Sequence, residues 1–253
     1  MKGKDLIEAL RLPGGCQLDQ RVPKKLFIEN SAPTSADKKL INDGIEDIRW
    51  VAALKPNTIG VREFRNEERE YIEIAVLQVK LREHSSTRRL IELMHRAIPY
   101  PAVFVIESPE SLTMSLGNKR WSQSDSSRVV LDGELVISTF TLSSERTASE
   151  TEFAKALSLN RQPQSNLYEL YNGWTGTLEA LSAAEITGQF QLLSSPESLV
   201  ERRAALEKLA AIDREIAFLA STAKSEKQMS RRVQLNNTLK SMNAERIILI
   251  TKL

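Results

Sequence analysis

The sequence is poor in the residues that bind structural metals or form covalent cross-links. Among 253 residues there is one cysteine, Cys16, and there are two histidines, His84 and His95. A single cysteine excludes an intramolecular disulfide, and this set is too small for a structural zinc site. Any metal would have to be held mostly by carboxylates. We therefore expect no cofactor, and the cysteine content favours a reducing compartment.

Long apolar runs are also lacking. No stretch approaches the roughly 18 apolar residues that a membrane helix requires. The N-terminal segment carries Asp5 and Glu8 within its apolar pattern, which distinguishes it from a secretory signal. We expect a cytoplasmic protein that does not associate with membranes.

Motifs of several enzyme classes are missing as well. The sequence contains no Walker lysine loop, dinucleotide glycine fingerprint, serine elbow or paired zinc-ligand motif. It also has no repeat of fixed period, which argues against solenoids and propellers. These absences favour a non-catalytic role.

Helices and strands are mixed in the first 144 residues. Apolar spacing predicts helices near the N-terminus, over 33–54 and over 85–96. Segment 21–28 is interpreted as an edge strand or extended arm, since Pro23 argues against a central strand. Further strands are predicted over the following ranges: 58–61, 71–81, 102–107, 112–116 and 128–141, the last bent or split at Asp132-Gly133.

The pattern becomes helical from residue 145. The sequence predicts an α+β sheet domain over 1–144, a helical connecting layer over 145–193, and a helical hairpin or short coiled coil over 194–253. The fold class is therefore α+β, with a mixed β-sheet, flanking helices and a C-terminal antiparallel helical hairpin. The residues predicted to form its packing or partner seam are Leu206, Leu209, Ile216 and Leu239.

Two alternatives remain for this C-terminal segment. The seam is interpreted first as intramolecular packing, with dimerisation through the same residues as the alternative. The apolar run 247–250 also fits a final strand, which would remove part of the second helix.

The best candidate for chemistry lies on the strand predicted over 71–81. Glu73 is followed there by Gln78 and Lys80. Some metal-dependent nucleases pair an acid with a Glu-x-Lys or Gln-x-Lys strand, in which the acid holds magnesium and the lysine orients water or stabilises charge. The acid normally lies on a separate preceding strand, however, and ordinary solvent-facing alternation explains this pattern more simply. A metal-dependent nuclease is thus the alternative hypothesis.

Basic residues beside aromatic ones suggest contact with nucleic acid. Lysine and arginine neutralise phosphates, and an aromatic ring stacks on a base. With 35 basic and 33 acidic residues, the formal net charge is only +2, so a solvated mixed surface competes with this interpretation. The predicted nucleic-acid contacts are Lys24 and Lys25 near Phe27, and Lys119 and Arg120 near Trp121.

Three segments carry a resemblance to a known family: Arg21-Val22-Pro23-Lys24-Lys25-Leu26-Phe27, the stretch 37–50, and His95-Arg96-Ala97-Ile98-Pro99-Tyr100-Pro101. Together they resemble the prokaryotic family catalogued as domain of unknown function 4391. Members of that family look like companions of DNA helicases and DNA methyltransferases in restriction or phage-defence gene clusters. The resemblance implies an accessory protein-interaction subunit of such an antiviral complex, and it brings no functional residue with it. A self-assembling structural protein is a further alternative.

Overall fold

A computed structural model describes residues 3–82, 88–125, 128–141 and 147–253. The chain divides into two compact units, Met1–Leu178 and Glu179–Leu253. His84 lies outside the described residues.

The first unit is built on a six-stranded mixed sheet. The strands of the chain are β1 (Gln17–Arg21), β2 (Ile45–Leu54), β3 (Phe64–Arg65), β4 (Glu70–Tyr71), β5 (Ile74–Leu81), β6 (Ala102–Glu107), β7 (Ser111–Leu116), β8 (Lys119–Trp121), β9 (Val129–Leu131) and β10 (Val136–Thr141). The sheet has the order β1-β2-β5-β6-β7-β10, and β3-β4 and β8-β9 form two small hairpins. Neighbours in the sheet are antiparallel except β5 and β6, which are parallel.

Helices of this unit cover the sheet. They are α1 (Gly3–Ala9), α2 (Lys24–Ser31), α3 (Ser35–Gly44), α4 (Pro56–Ile59), α5 (Arg88–Ala97), α6 (Ala148–Ala156) and the first part of α7 (Leu167–Thr187). Because parallel neighbours need a crossover connection, α5 lies between β5 and β6 in the chain. One core packs α2, α3 and α5 against the sheet, with Phe27, Ile41, Leu77, Met94 and Phe104 among its buried residues.

The first half of α7 is tied to the sheet by buried hydrogen bonds. The hydroxyl of Tyr171 donates to the carbonyl of Ala102 at 2.8 Å and accepts from the amide of Gly117 at 2.8 Å. The indole of Trp174 donates to the carbonyl of Leu157 at 2.8 Å. The structure therefore joins the first part of the predicted 145–193 layer to the sheet unit.

Three local predictions are wrong. Segment 21–28 is largely helical, because Pro23 precedes the first turn of α2, where a missing N–H is tolerated. The helix predicted over 33–54 ends at Gly44, and the chain continues as β2. No strand forms over 58–61: the short helix α4 includes Thr58 and Ile59, and the left-handed Gly60 follows it as the C-cap.

The second unit is the predicted helical hairpin. It contains the end of α7, α8 (Pro196–Ser225) and α9 (Met229–Ile250), so the run 247–250 is helical and the strand alternative is wrong. Leu209, Ile212 and Leu249 form its buried core, which confirms that α8 and α9 pack on each other. No helix within the described ranges is both long and apolar enough to span a bilayer.

Candidate functional site

On one face of the central strand β5, the side chains change from buried and apolar to polar toward the C-terminal end. Ile74, Val76, Gln78 and Lys80 share one face, because alternate residues of a strand point the same way. Ile74 and Val76 are fully buried, whereas Gln78 is half-buried and Lys80 is exposed. Gln78 and Lys80 therefore place polar groups at the rim of an otherwise apolar face of β5.

Glu73 is not part of this rim. It precedes the first residue of β5, is only 8% exposed, and forms an ion pair with Lys55, with Oε2 3.0 Å from Nζ. Seven residues of extended chain separate it from Lys80, a distance of about 23 Å. The predicted set Glu73, Gln78 and Lys80 is therefore not brought together, because the strand holds its ends apart.

Strand pairing brings two other acids to Lys80. Asp47 on β2 is the antiparallel partner of Lys80, and Glu107 on β6 is its parallel partner. Paired residues on adjacent strands face the same side, and for the antiparallel pair the Cβ atoms lie about 5 Å apart. Gln78 joins the group by donating from Nε2 to Oε1 of Glu107 at 2.8 Å. We name this group the sheet-end cluster: Asp47, Gln78, Lys80 and Glu107.

Two arginines contact the Asp47 carboxylate. Arg21 places Nε 2.8 Å from one carboxylate oxygen, and Arg49 places Nε 3.5 Å from the other. Arg49 also pairs with Asp19 at 2.8 Å, and this carboxylate raises the pKa of Arg49. The region therefore mixes cations with acids, as a site for a metal-bound phosphate would require.

Sequence reasoning found Gln78 and Lys80 but missed Asp47 and Glu107. The apolar spacing predicts a helix at Asp47, although the isoleucines, tryptophan and valine that follow Gly44 are typical strand formers. Glu107 ends a correctly predicted strand, but its pairing with β5 depends on the long-range order of strands.

Two cations cap the C-terminal end of α3. Lys24 donates from Nζ to the carbonyls of Asn42, at 3.0 Å, and of Ile45. Arg82 donates to the carbonyls of Asn42 and Asp43 at 3.0 and 2.9 Å. Partial burial lowers the pKa of Lys24. Lys24, which is predicted to contact nucleic acid, is half-buried and donates to carbonyls at the end of α3.

Lys119 is another of the predicted nucleic-acid contacts. Its side chain is buried, and Nζ donates to the carbonyl of Ile98 at 3.0 Å and to that of His95. Burial lowers the pKa of Lys119 to about 7. Because the amine faces the interior at the end of α5, it has no surface from which to contact a phosphate.

The remaining predicted nucleic-acid residues, Lys25 and Arg120, each form an ion pair with an acid. Lys25 is exposed and pairs with Glu29 one turn along α2, at 3.5 Å. Arg120 is half-buried, lies 3.4 Å from Asp132, and lines a cavity of about 670 Å³ together with Trp121. Acidic and basic residues both line this cavity, so its charge favours neither sign of ligand.

Two candidate reactive side chains outside the strands, His95 and Cys16, are buried. His95 is fully buried, with Nε2 2.9 Å from Oγ of Ser115, and burial lowers its pKa well below the usual range. Cys16 is buried, donates from Sγ to the carbonyl of Pro13 at 3.0 Å, and has a raised pKa because of its burial. Neither residue offers a solvent-exposed nucleophile or base.

The hairpin presents apolar side chains on two faces of each helix. Leu209 is buried in the seam, Ile216 packs against it, and Leu206 and Leu239 are half-buried. A second group of apolar residues is exposed and is called the outer apolar set: Val200 and Phe218 on α8, and Met229, Val233 and Ile247 on α9.

These observations define an α+β protein with a mixed sheet and a C-terminal helical hairpin. Within the described residues, no three Asp, Glu, His or Cys side chains are grouped so that they could hold a metal together. A family model matches residues 10–245, and the chain belongs to the family described as Domain of unknown function (DUF4391). No curated protein and no solved structure matches it.

Proposed function

We propose that the protein is an accessory, protein-binding subunit of a prokaryotic DNA-processing or phage-defence complex. The observation that carries the proposal is the outer apolar set, which remains exposed although the hairpin seam is already filled. The proposed partner is a DNA helicase or DNA methyltransferase, as the family resemblance implies, and the proposed compartment is the cytoplasm.

The outer apolar set lies opposite the seam. Val200 and Phe218 are 18 residues apart, which is five helical turns, so they share one face of α8. Leu209 lies midway between them, two and a half turns from each, and therefore on the other face. On α9, Met229 and Ile247 repeat the same five-turn spacing. Each helix is thus apolar on two opposite sides.

Apolar residues on the faces opposite the seam support binding of a partner protein. Phe218 is 69% exposed, and apolar surface exposed in patches often marks protein interaction sites in soluble proteins. With 30 residues in α8 and 22 in α9, the helices are about 45 and 33 Å long. A partner that presents helices or an apolar groove would cover these faces by helix packing.

The first test is capture from the native host. The tagged full chain is used as bait with and without nuclease treatment, and bound proteins are identified by mass spectrometry. We expect a helicase or methyltransferase to be retained after nuclease treatment. The double variant Val200→Ser/Phe218→Ser should lose it.

The matched control is Leu18→Ser, which removes an apolar side chain that is 42% exposed in the sheet unit. This variant should capture the partner as the wild type does. Loss of the partner on nuclease treatment, or equal capture by the double variant, contradicts the proposal. A mass that rises with protein concentration, without any other partner, would favour self-assembly instead.

A further inference from the structure

The sheet-end cluster joins three strands that are far apart in sequence. Asp47, Lys80 and Glu107 lie in register on β2, β5 and β6, with the lysine between the two acids. Among the described residues, Lys80 forms an ion pair with neither acid nor with any other carboxylate. An exposed cation held between two acids, and paired with neither of them, is suited to contact an external anion.

The positions of these residues are fixed by the core behind them. Val76 and Val105, which precede the cluster on β5 and β6, are fully buried. Glu107 is held by Gln78 on one side and approached by Gly3 of α1 on the other. A Cβ atom on Gly3 would lie 1.8 Å from Oε1 of Glu107, so the glycine allows this close approach. Sites on such rigid elements keep charged groups in a set geometry.

The donor atoms suit a hard divalent cation. Carboxylate and amide oxygens are magnesium ligands, and magnesium commonly uses only one or two protein carboxylates together with waters and substrate phosphate. Asp47 and Glu107 supply that number. The side chain of Arg21 is 75% exposed and that of Asp47 is 22% exposed, so solvent reaches this ion pair on its arginine side. An ion pair with such an exposed partner contributes little, and a divalent cation can therefore replace Arg21 at the Asp47 carboxylate.

We propose that the sheet-end cluster is a magnesium-dependent phosphodiester-hydrolysing centre that acts on nucleic acid. Asp47 is the main carboxylate ligand of the cation, Glu107 is the second acid and is positioned by Gln78, and Lys80 contacts the scissile phosphate and its attacking water. This activity goes beyond the proposed partner binding and uses a different unit of the chain.

The reaction consumes one water molecule. The water oxygen bonds to phosphorus, and the phosphorus–oxygen ester bond breaks with its electron pair moving to the leaving oxygen. A proton from the water ends on that oxygen, so the products are a phosphate monoester and an alcohol. The cation and Lys80 stabilise the negative charge that develops on the phosphoryl oxygens and on the leaving oxygen.

The test is cleavage of plasmid DNA, single-stranded DNA and RNA by the purified full chain, with magnesium, with manganese or with a chelator. We expect metal-dependent cleavage of at least one of these polynucleotides. Lys80→Ala and Asp47→Asn should each lower the rate by about 100-fold or more. Gln78→Glu should also lower the rate, because it removes the N–H group that donates to Glu107.

Lys38→Ala is the matched control, since Lys38 is an exposed lysine on α3, away from the cluster. It should cleave as the wild type does.

Manganese binding, followed by electron paramagnetic resonance, gives a second readout. Binding should be lost in Asp47→Asn, while the melting temperature of this variant stays near that of the wild type. Absence of cleavage by the wild type, or cleavage by Lys80→Ala at the wild-type rate, overturns the proposal. Manganese binding unchanged in Asp47→Asn overturns the assignment of the cation ligand. Because partner capture is measured separately, failure here leaves the accessory role standing.

Discussion

Lys119 places an amine in the interior of the first unit, next to two backbone carbonyls. A neutral amine has two N–H groups, one for the carbonyl of His95 and one for that of Ile98. Burial lowers its pKa to about 7, whereas the unfolded chain should titrate near 10.4. Between these values the unfolded chain binds more protons, so the free energy of unfolding should rise as the pH rises.

In urea titrations between about pH 7 and about pH 9, the wild type should gain stability with increasing pH, and Lys119→Met should lose that part of the slope. Lys25→Met, which changes an exposed lysine on α2, should keep the wild-type slope. Parallel slopes for the wild type and Lys119→Met would show that the amine titrates normally.

At the scale of elements, Asp37 and Arg89 join α3 to α5. Arg89 donates to both carboxylate oxygens of Asp37, at 2.9 and 3.0 Å. These bonds lower the pKa of Asp37 to about 2, below an unfolded value near 3.9. The pair therefore stabilises the fold above about pH 4 and loses its effect as the pH falls toward about 2.

Arg89→Met should reduce the free energy of unfolding at neutral pH and should also make the acid-induced loss of stability shallower below about pH 4. Urea unfolding at several acidic pH values measures both effects. Arg88→Met is the control on the same helix, because Arg88 pairs with the exposed Glu134 and surface pairs contribute little. An equal loss in the two variants would contradict a specific role for Arg89.

In the helical hairpin, the residues that pack in the seam differ from those proposed to contact a partner. Leu209 is 1% exposed in the seam, so Leu209→Ala should lower the free energy of unfolding by about 2–5 kcal/mol. Phe218→Ser removes an exposed side chain and should change it by about 0.5 kcal/mol or less. Urea unfolding of both variants measures these changes in the free energy of unfolding. A large decrease for Phe218→Ser would show that the outer face is packed within the protein.

The strand β2 shows why some elements are not predictable from local pattern. Its register with β5 shifts between Ile45 and Asp47, so Ile45 and Ile48 both enter the same core. A bulge inserts an extra residue and turns the period of two into a spacing of three. That spacing matches a helix, which is why the sequence favoured a helix through residue 54. The strands β5 and β6 are predictable because each is a short, mostly apolar run that is rich in β-branched residues. The hairpin helices are predictable because their apolar residues recur at helical spacing.

At the scale of the whole molecule, the candidate site depends on pairing between distant segments. Gln78 and Lys80 form a visible pattern within three residues, whereas Asp47 and Glu107 lie about thirty positions away on either side. Local propensity carries no information about which strands become neighbours. The fold class was therefore predictable, but the acids beside Lys80 were not.

The division into Met1–Leu178 and Glu179–Leu253 leads to a prediction about cooperativity. Packing within the second unit rests on Leu209, Ile212 and Leu249, so a cavity at Leu209 should loosen α8 and α9 first. Hydrogen exchange measured by mass spectrometry on Leu209→Ala should show faster exchange in these helices, while β5 and β6 keep their protection. Val76→Ala is the reciprocal control, because it creates a cavity in the buried part of β5 next to the sheet-end cluster and should accelerate exchange in the sheet. Equal acceleration in both units by either variant would show that the chain opens as one cooperative unit. In that case, a partner bound on the hairpin would also stabilise the strands that carry the cluster.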